Sequence, residues 1–199
     1  LIQYFAPLYR EIAKEPDIDL TVYYCSKKGL EEYEDKQFGV KLQWDVPLLE
    51  GYEYRFLPNI RKNPEAIGFF SLINPQVMRE LRVGQYDALM VHGYKYVTHL
   101  LAIISAKMSG LSVFMRGETH LDLKRSTIKK KIRNVPLRLL YRNCDACLAI
   151  GSKNADFYRS FGVPQNKIFM MPYTINNEYF FKSSEPYRKN TAEVRIAEG

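Results

Sequence analysis

The sequence has few of the residues from which disulfide frameworks and metal sites are built. It contains three cysteines, an odd count, and three histidines in 199 residues. A disulfide framework is therefore not predicted, and a reducing compartment is favoured. No run approaches the roughly 20 apolar residues that a membrane-spanning helix needs. The chain also starts without methionine and without a basic-then-apolar leader, so we expect a cytoplasmic location and a longer parent protein.

Two short motifs resemble redox or metal sites but are better explained by packing. Cys144 and Cys147 have the spacing of a redox pair, yet they lead into a β-type run instead of opening a helix. Residues three apart in a strand face opposite sides, so both are predicted to be packing thiols. Asp17 and Asp19 form a DxD pair just after a proline, which favours a surface turn. No metal site is predicted.

Positive charge is concentrated in one segment. Eight Lys and Arg residues and no acidic residue lie from Lys124 to Arg142, and without them the formal net charge of +7 becomes −1. Such a segment is either a solvated helix face or a surface for anionic lipid head groups or a phosphorylated substrate. Nucleic acid is not expected as a partner, because no aromatic residues alternate with the cations before Tyr141.

Strand-like and helix-like segments alternate along the chain. The β-type runs are residues 19–25, 52–57, 86–91, 111–115, 146–150 and 168–171. Helical patterns cover about 7–15, 75–82, 94–108, 126–142 and 152–161, with Asn74 and Ser152 as predicted N-caps. The run at 86–91 reads as a fully buried strand. This alternation predicts an α/β protein with a Rossmann-like parallel sheet and helices on both faces.

The domain organisation follows from the same pattern. A doubly wound sheet normally starts with a central strand before its first helix, and only six residues precede this helix. We therefore expect the first central strand to lie upstream of residue 1. Residues 1–182 are predicted to form the domain. Residues 183–199, which are polar and patternless, are predicted to be a linker or exit segment.

Polar, glycine-containing loops follow two neighbouring strands of the predicted sheet. Because the carboxyl ends of parallel strands meet at one edge, where open α/β proteins bind ligands, these loops predict a site. Glycines in them form turns and let a ligand approach the backbone. The loop residues are His92, Gly93, Tyr94, Arg116, Gly117, Glu118 and Thr119.

Six short segments, taken in their order and spacing, resemble one enzyme family. They are residues 4–11, 91–94, 116–119, 149–152, 161–164 and 171–180. The family is the retaining GT-B glycosyltransferases of family 4, the group 1 type, and the resemblance covers the amino-terminal, acceptor-side domain. It implies an enzyme that moves a hexose from a nucleotide diphosphate sugar to a glycan or lipid-linked acceptor. The donor is held mainly by a C-terminal domain absent here, so the isolated chain is expected to be inactive.

The resemblance also implies roles for individual residues. Glu118, His92 and Arg116 are the predicted catalytic residues, since a group must take or orient the acceptor proton and a cation must meet the phosphate. Many relatives have a histidine near Glu118, which leaves its exact role open. The predicted substrate-binding residues are Tyr4, Gly93, Tyr94, Gly117, Thr119, Lys153 and Asn154. The nucleotide sugar is a co-substrate, and no cofactor is expected.

Purely structural roles stay open beside these, because His92 can satisfy backbone groups and Arg116 can pair with Glu118. Two other functions also stay open. One is a non-catalytic carbohydrate or membrane-surface binding module recruited by the basic segment. The other is a GT-B sugar-nucleotide epimerase. The resemblance points to synthesis of cell-envelope polysaccharide in the cytoplasm, with attachment to the inner face of the membrane as one option.

Overall fold

The computed structural model describes residues 4–30, 33–35, 40–42, 47–61, 68–119, 127–174 and 177–189. The helices are α1 Phe5–Ile12, α2 Gln76–Val83, α3 Val97–Met108, α4 Thr127–Arg142, α5 Ser152–Ser160 and α6 Asn177–Lys189, with a 3₁₀ turn at Gln165–Lys167. The strands are β1 Thr21–Tyr24, β2 Tyr33–Asp35, β3 Val40–Leu42, β4 Glu53–Phe56, β5 Ala88–His92, β6 Ser112–Gly117, β7 Ala146–Ala149 and β8 Ile168–Met170. All six predicted strands and all five predicted helices are found.

Six of these strands form two parallel sheets. One pairs β1 with β4, and the other has the order β5-β6-β7-β8. Helices α3, α4 and α5 connect successive strands of the larger sheet, as parallel pairing requires a crossover between neighbours. The strands β2 and β3, which were not predicted, form an antiparallel pair. The α/β class is confirmed, and the parallel order is compatible with a Rossmann-like fold. No helix in the described parts of the chain is both long and apolar enough to span a bilayer.

The core lies against the larger sheet. Val113 and Met115 of β6 are fully buried, and Cys144 and Cys147 are free thiols buried in the same core. Their side chains are hydrogen-bonded to each other, so the prediction that the two cysteines face opposite sides is wrong. Tyr141 of α4 lies at the centre of an aromatic cluster. The ring centroids of four neighbours lie 5.3 to 6.0 Å from its own: Tyr94, Phe157, Tyr158 and Phe161.

The prediction of a fully buried strand at residues 86–91 is wrong. In β5 only Val91 is buried, and Ala88 is exposed. The reason is positional, because β5 pairs with β6 on one edge and has no strand partner on the other among the described residues. Apolar composition therefore indicated a central strand, while the described sheet leaves it at an edge.

The predicted side-chain cap at Asn74 is also wrong. Helix α2 begins after Pro75 with no side-chain cap, and Asn74 is 0% exposed. Its Nδ2 donates to the carbonyl oxygens of Cys25 at 3.3 Å and Leu57 at 2.9 Å, and its backbone N–H donates to Thr98 Oγ1 at 2.9 Å. Asn74 thus joins the ends of β1 and β4 to the start of α3.

Replacing Asn74 by alanine is expected to lower the free energy of unfolding by about 2 to 3 kcal/mol, because two buried carbonyls lose their donor. Urea denaturation followed by circular dichroism measures this change. The matched control is Asn143→Ala, since Asn143 is exposed and a surface change stays within about 0.5 kcal/mol. Equal effects of the two substitutions would contradict a structural role for Asn74.

Two further differences concern helix ends. Gly151, not Ser152, is the N-cap of α5, and no side chain caps the helix. The segment after residue 183 is not patternless throughout, because α6 continues to Lys189. The remainder of the predicted linker, residues 190–199, lies outside the described residues, as do residues 124–126 of the basic segment.

Candidate functional site

Helix α1 packs against the carboxyl end of β5. His92 is the last residue of β5, and its Nε2 lies 2.9 Å from the hydroxyl oxygen of Tyr9. The centroid of its ring is 4.4 Å from that of Phe5. Phe5 and Tyr9 are four residues apart on α1, so both reach the same side of the helix. The predicted site residue His92 therefore packs against two aromatic rings of α1.

Burial lowers the pKa of His92 to about 4, and the nearby positive charge of Arg116 acts in the same direction. The imidazole is therefore neutral at pH 7. Burial also raises the pKa of Tyr9 well above its ordinary value, so its hydroxyl keeps the proton and can donate it to Nε2. When Nε2 accepts this hydrogen bond, the ring proton of His92 is on Nδ1. His92 is thus a neutral hydrogen-bonding group.

Arg116 packs against two aromatic rings. It lies opposite His92 in the register of β5 and β6. Its guanidinium carbon is 5.1 Å from the ring centroid of Phe5 and 4.7 Å from that of Tyr173. These are cation–π distances, and the side chain is only 2% exposed. Its Nε is buried and has no hydrogen-bond partner among the described residues. Arg116 therefore places a fixed, poorly solvated positive charge at the sheet edge.

Glu118 is exposed two residues beyond Arg116. The hydroxyl of Tyr173 donates a hydrogen bond to Glu118 Oε1. Desolvation, followed by the charge of Glu118, raises the pKa of Tyr173 to about 12, so the phenol is protonated at neutral pH. Tyr173 is 41% exposed and Tyr4 is 42% exposed, and their ring centroids are 5.9 Å apart. A carboxylate thus lies beside half-exposed aromatic surface.

These residues form one continuous group at the carboxyl edge of the parallel sheet, which we call the edge cluster. It joins a carboxylate, a buried cation and a neutral imidazole through aromatic rings. Its members are Tyr4, Phe5, Tyr9, His92, Arg116, Glu118 and Tyr173.

Glycine is favoured at the two predicted loop positions for different structural reasons. Gly93 has a φ of 81°, a left-handed conformation that favours glycine, and a Cβ there would meet nothing within 4 Å. Gly117 pairs with Ala149 at the end of β6, and an added Cβ would lie 3.3 Å from the Tyr158 hydroxyl. The backbone thus requires glycine at position 93, and close packing favours it at position 117.

The structure does not bring all predicted residues to the edge cluster. Tyr94 packs into the core, with its ring centroid 6.0 Å from that of Tyr141. Asn154 is buried, and its Nδ2 donates to the carbonyl oxygen of Thr119 at 2.6 Å. Thr119 and Asn154 therefore anchor the loop that carries the carboxylate. Lys153 is exposed at the start of α5.

Three members of the edge cluster were missed as site residues: Phe5, Tyr9 and Tyr173. Tyr173 follows β8 just as the predicted loops follow β5 and β6, so the same strand-end rule identifies it. Phe5 and Tyr9 carry a weaker signal, because an aromatic pair four residues apart on a helix is usually a core face.

Acidification is expected to destabilise the protein because it contains the partly buried histidine His99. Burial lowers the pKa of His99 to about 4, and its Nδ1 is buried without a partner among the described residues. The unfolded chain binds this proton near pH 6.5, so the neutral histidine contributes stability above pH 6.5 that is lost as the pH falls toward 4. His99→Phe should remove roughly 2 kcal/mol of the loss between pH 7 and 4.5. Urea titrations at both pH values measure it, and an unchanged pH dependence in the variant would contradict the assignment.

The described residues contain no group of three or more His, Cys, Asp or Glu side chains placed to share a metal ion. The polar groups of the edge cluster instead are one carboxylate, one guanidinium, one neutral imidazole and three tyrosine hydroxyls, a set suited to hydroxyl groups and anions. No protein-family model and no curated protein matches this chain.

Proposed function

We propose that this chain is the acceptor-binding half of a glycosyltransferase that moves a hexose from a nucleotide diphosphate sugar to a glycan or lipid-linked acceptor. The observation that carries the proposal is the Glu118–Tyr173 hydrogen bond at the carboxyl edge of the sheet, beside half-exposed rings. Carboxylate and phenol groups bind sugar hydroxyls, and aromatic faces pack on the C–H faces of sugar rings. Carbohydrate acceptors offer both kinds of surface.

In this proposal Glu118 orients the acceptor hydroxyl and takes its proton as the glycosidic bond to the diphosphate breaks. Tyr173 keeps its own proton, because its pKa is raised, and it holds one carboxylate oxygen in place. The second carboxylate oxygen is then the one that meets the acceptor. His92 remains neutral and contributes hydrogen bonding without adding positive charge beside Arg116.

Arg116 supplies positive charge near the point where the leaving diphosphate gains negative charge. Its low exposure keeps this charge weakly screened, and the rings of Phe5 and Tyr173 pack against it. The donor nucleotide is held mainly by a second, C-terminal domain outside these 199 residues. The α/β fold described above is then the amino-terminal half of a GT-B enzyme.

The test is turnover by the full-length protein with a panel of nucleotide sugars and glycan or lipid-linked acceptors. Release of nucleoside diphosphate that requires one donor and an acceptor is expected, and the 199-residue chain alone is expected to give none. Conversion of the donor sugar to an epimer without an acceptor would identify the epimerase instead. Absence of release with every donor, in a folded full-length protein, would contradict glycosyl transfer.

One observation favours a second function, a membrane-surface module. Val135 and Leu139 of α4 are one helical turn apart and are 75% and 68% exposed, on a helix rich in Lys and Arg. Exposed apolar residues on a basic helix are typical of segments that lie on anionic bilayers. Binding to phosphatidylserine vesicles should fall in a Val135→Ser, Leu139→Ser variant and at high salt. The matched control replaces Phe180 and Phe181, exposed on α6, and equal binding to neutral vesicles would exclude this function.

A further inference from the structure

A cavity of about 680 Å³ lies between the two parallel sheets, bounded by β1 on one side and β5 on the other. In the described residues, β1 pairs only with β4 and β5 pairs only with β6. Each of these strands therefore turns one unpaired edge toward the other sheet. We call this space the slot.

The slot is lined by strand edges, not by strand faces. Every residue from 19 to 26 and every residue from 88 to 92 borders it. Successive side chains of a strand point to opposite faces, so a cavity on one face would be bordered by alternate residues only. Uninterrupted runs of lining residues place the cavity beside the backbone, where free N–H and C=O groups of an unpaired edge lie.

The two edges run in the same direction. Asn74 joins the carbonyl groups that follow β1 and β4 to Thr98 at the start of α3, which itself follows β5. The carboxyl ends of all three strands are thus on one side of the molecule. A strand placed in the slot can run parallel to both neighbours at once.

Helices and loops bound the rest of the slot. Phe5 and Tyr9 of α1, Val77 and Leu81 of α2, and Ala102 of α3 all border it. Most of these side chains are apolar, and an unpaired backbone edge in such surroundings needs a hydrogen-bonding partner. An extended peptide supplies backbone donors and acceptors on both edges, whereas a purely apolar ligand supplies neither.

We infer that the slot holds a central β-strand, formed by an apolar segment on the amino-terminal side of Leu1 that continues into α1. Phe5 at the start of α1 borders the slot, so the chain enters this helix beside it. Strand, α1 and β1 then form a parallel unit with a crossover helix, the usual connection between adjacent parallel strands. The two sheets become one, in the order β4, β1, new strand, β5, β6, β7, β8.

The strand also completes the edge cluster. Its carboxyl end would lie beside His92, the last residue of β5, and its turn into α1 would lie next to Tyr4 and Phe5. Residues of that turn then face the same edge as Glu118 and Tyr173. The strand–helix order of the sequence predicts the same strand, and the slot supports it independently of the proposed transfer activity.

The test extends the 199-residue chain at its amino terminus with six Val, Ile and Leu residues and a Gly-Ser turn. A melting temperature higher by at least about 5 °C is expected, since added sheet pairing and apolar burial stabilise the fold. Amide hydrogen exchange in residues 21–24 and 88–92 should slow by at least about tenfold. In the first control, the extension has prolines at its third and fifth positions, which cannot donate backbone hydrogen bonds. In the second control, the unaltered extension is placed after Gly199. Unchanged exchange at these amides, or equal protection in either control, would overturn the inference.

Other occupants of the slot give different results. A fluorescent fatty acid that binds one to one, and that the designed strand does not displace, would show a lipid site and overturn the inference. Concentration-dependent dimers of the unextended chain that protect the same amides, measured by light scattering and hydrogen exchange, would show a second copy and overturn it equally. Displacement of the fatty acid by the designed strand would support it.

Discussion

Alanine at position 141 is expected to lower the free energy of unfolding by about 4 kcal/mol, as large buried aromatic-to-alanine changes do. Tyr141 is 2% exposed, and four aromatic rings surround it, from the loop after β5 and from the region of α5. Removing its ring leaves a cavity that these neighbours cannot fill without leaving their own packing. Urea denaturation at pH 7, followed by circular dichroism, measures the change.

Two controls separate the causes of this loss. Tyr141→Phe keeps the ring and removes only the hydroxyl, so a loss of about 1 kcal/mol is expected. Tyr173→Ala removes a tyrosine that is 41% exposed and should cost less than about 2 kcal/mol. A Tyr141→Ala effect no larger than that of Tyr173→Ala would contradict the central position of Tyr141 in the core.

The order of elements could be predicted from the sequence because hydrophobic period is a local property. The apolar run at 111–115 corresponds to β6 Ser112–Gly117, and the basic pattern at 126–142 corresponds to α4 Thr127–Arg142. A strand or helix that is buried against a sheet needs apolar residues at a fixed spacing, and this spacing does not depend on which elements are its neighbours. The parallel arrangement then follows from the alternation itself.

Polar side chains used in tertiary contacts could not be predicted in the same way. Asn74 precedes a proline and a helix, which is the local pattern of an N-cap, yet its amide joins β1 to β4. Asn154 lies in the first turn of α5, where it could line a cleft, yet it anchors the Thr119 carbonyl. In both cases the partner lies more than 15 residues away in the chain, so the local sequence carries no trace of it.

In the candidate site, too, some placements could be predicted from the local sequence and others could not. His92 and Arg116 could be placed together because they end neighbouring parallel strands, and they are opposite each other in the register. Tyr94 was grouped with them by sequence, but the left-handed turn at Gly93 directs the chain so that Tyr94 enters the core. The approach of Tyr173 to Glu118 depends on where the chain goes after β8, which periodicity does not determine.

Substituting glutamine for Glu118 in the full-length protein is expected to reduce turnover roughly a hundredfold, the scale of a lost acid–base group. Glutamine has nearly the same shape and accepts a hydrogen bond from Tyr173, but it cannot take a proton. Stability should change little, because Glu118 is exposed. Initial rates at varied acceptor concentration measure kcat and KM separately. The matched control is Glu11→Gln, an exposed carboxylate on α1 outside the edge cluster.

The split between kcat and KM decides what Glu118 does. A lower kcat with unchanged KM indicates an interaction made only in the transition state, whereas a higher KM with unchanged kcat indicates acceptor binding alone. Tyr173→Phe should then lower kcat by about tenfold, because the carboxylate keeps its charge but loses the hydroxyl that orients it. If Glu118→Gln changes neither constant by more than about threefold while Tyr173→Phe does, the Tyr173 hydroxyl and not the carboxylate recognises the acceptor.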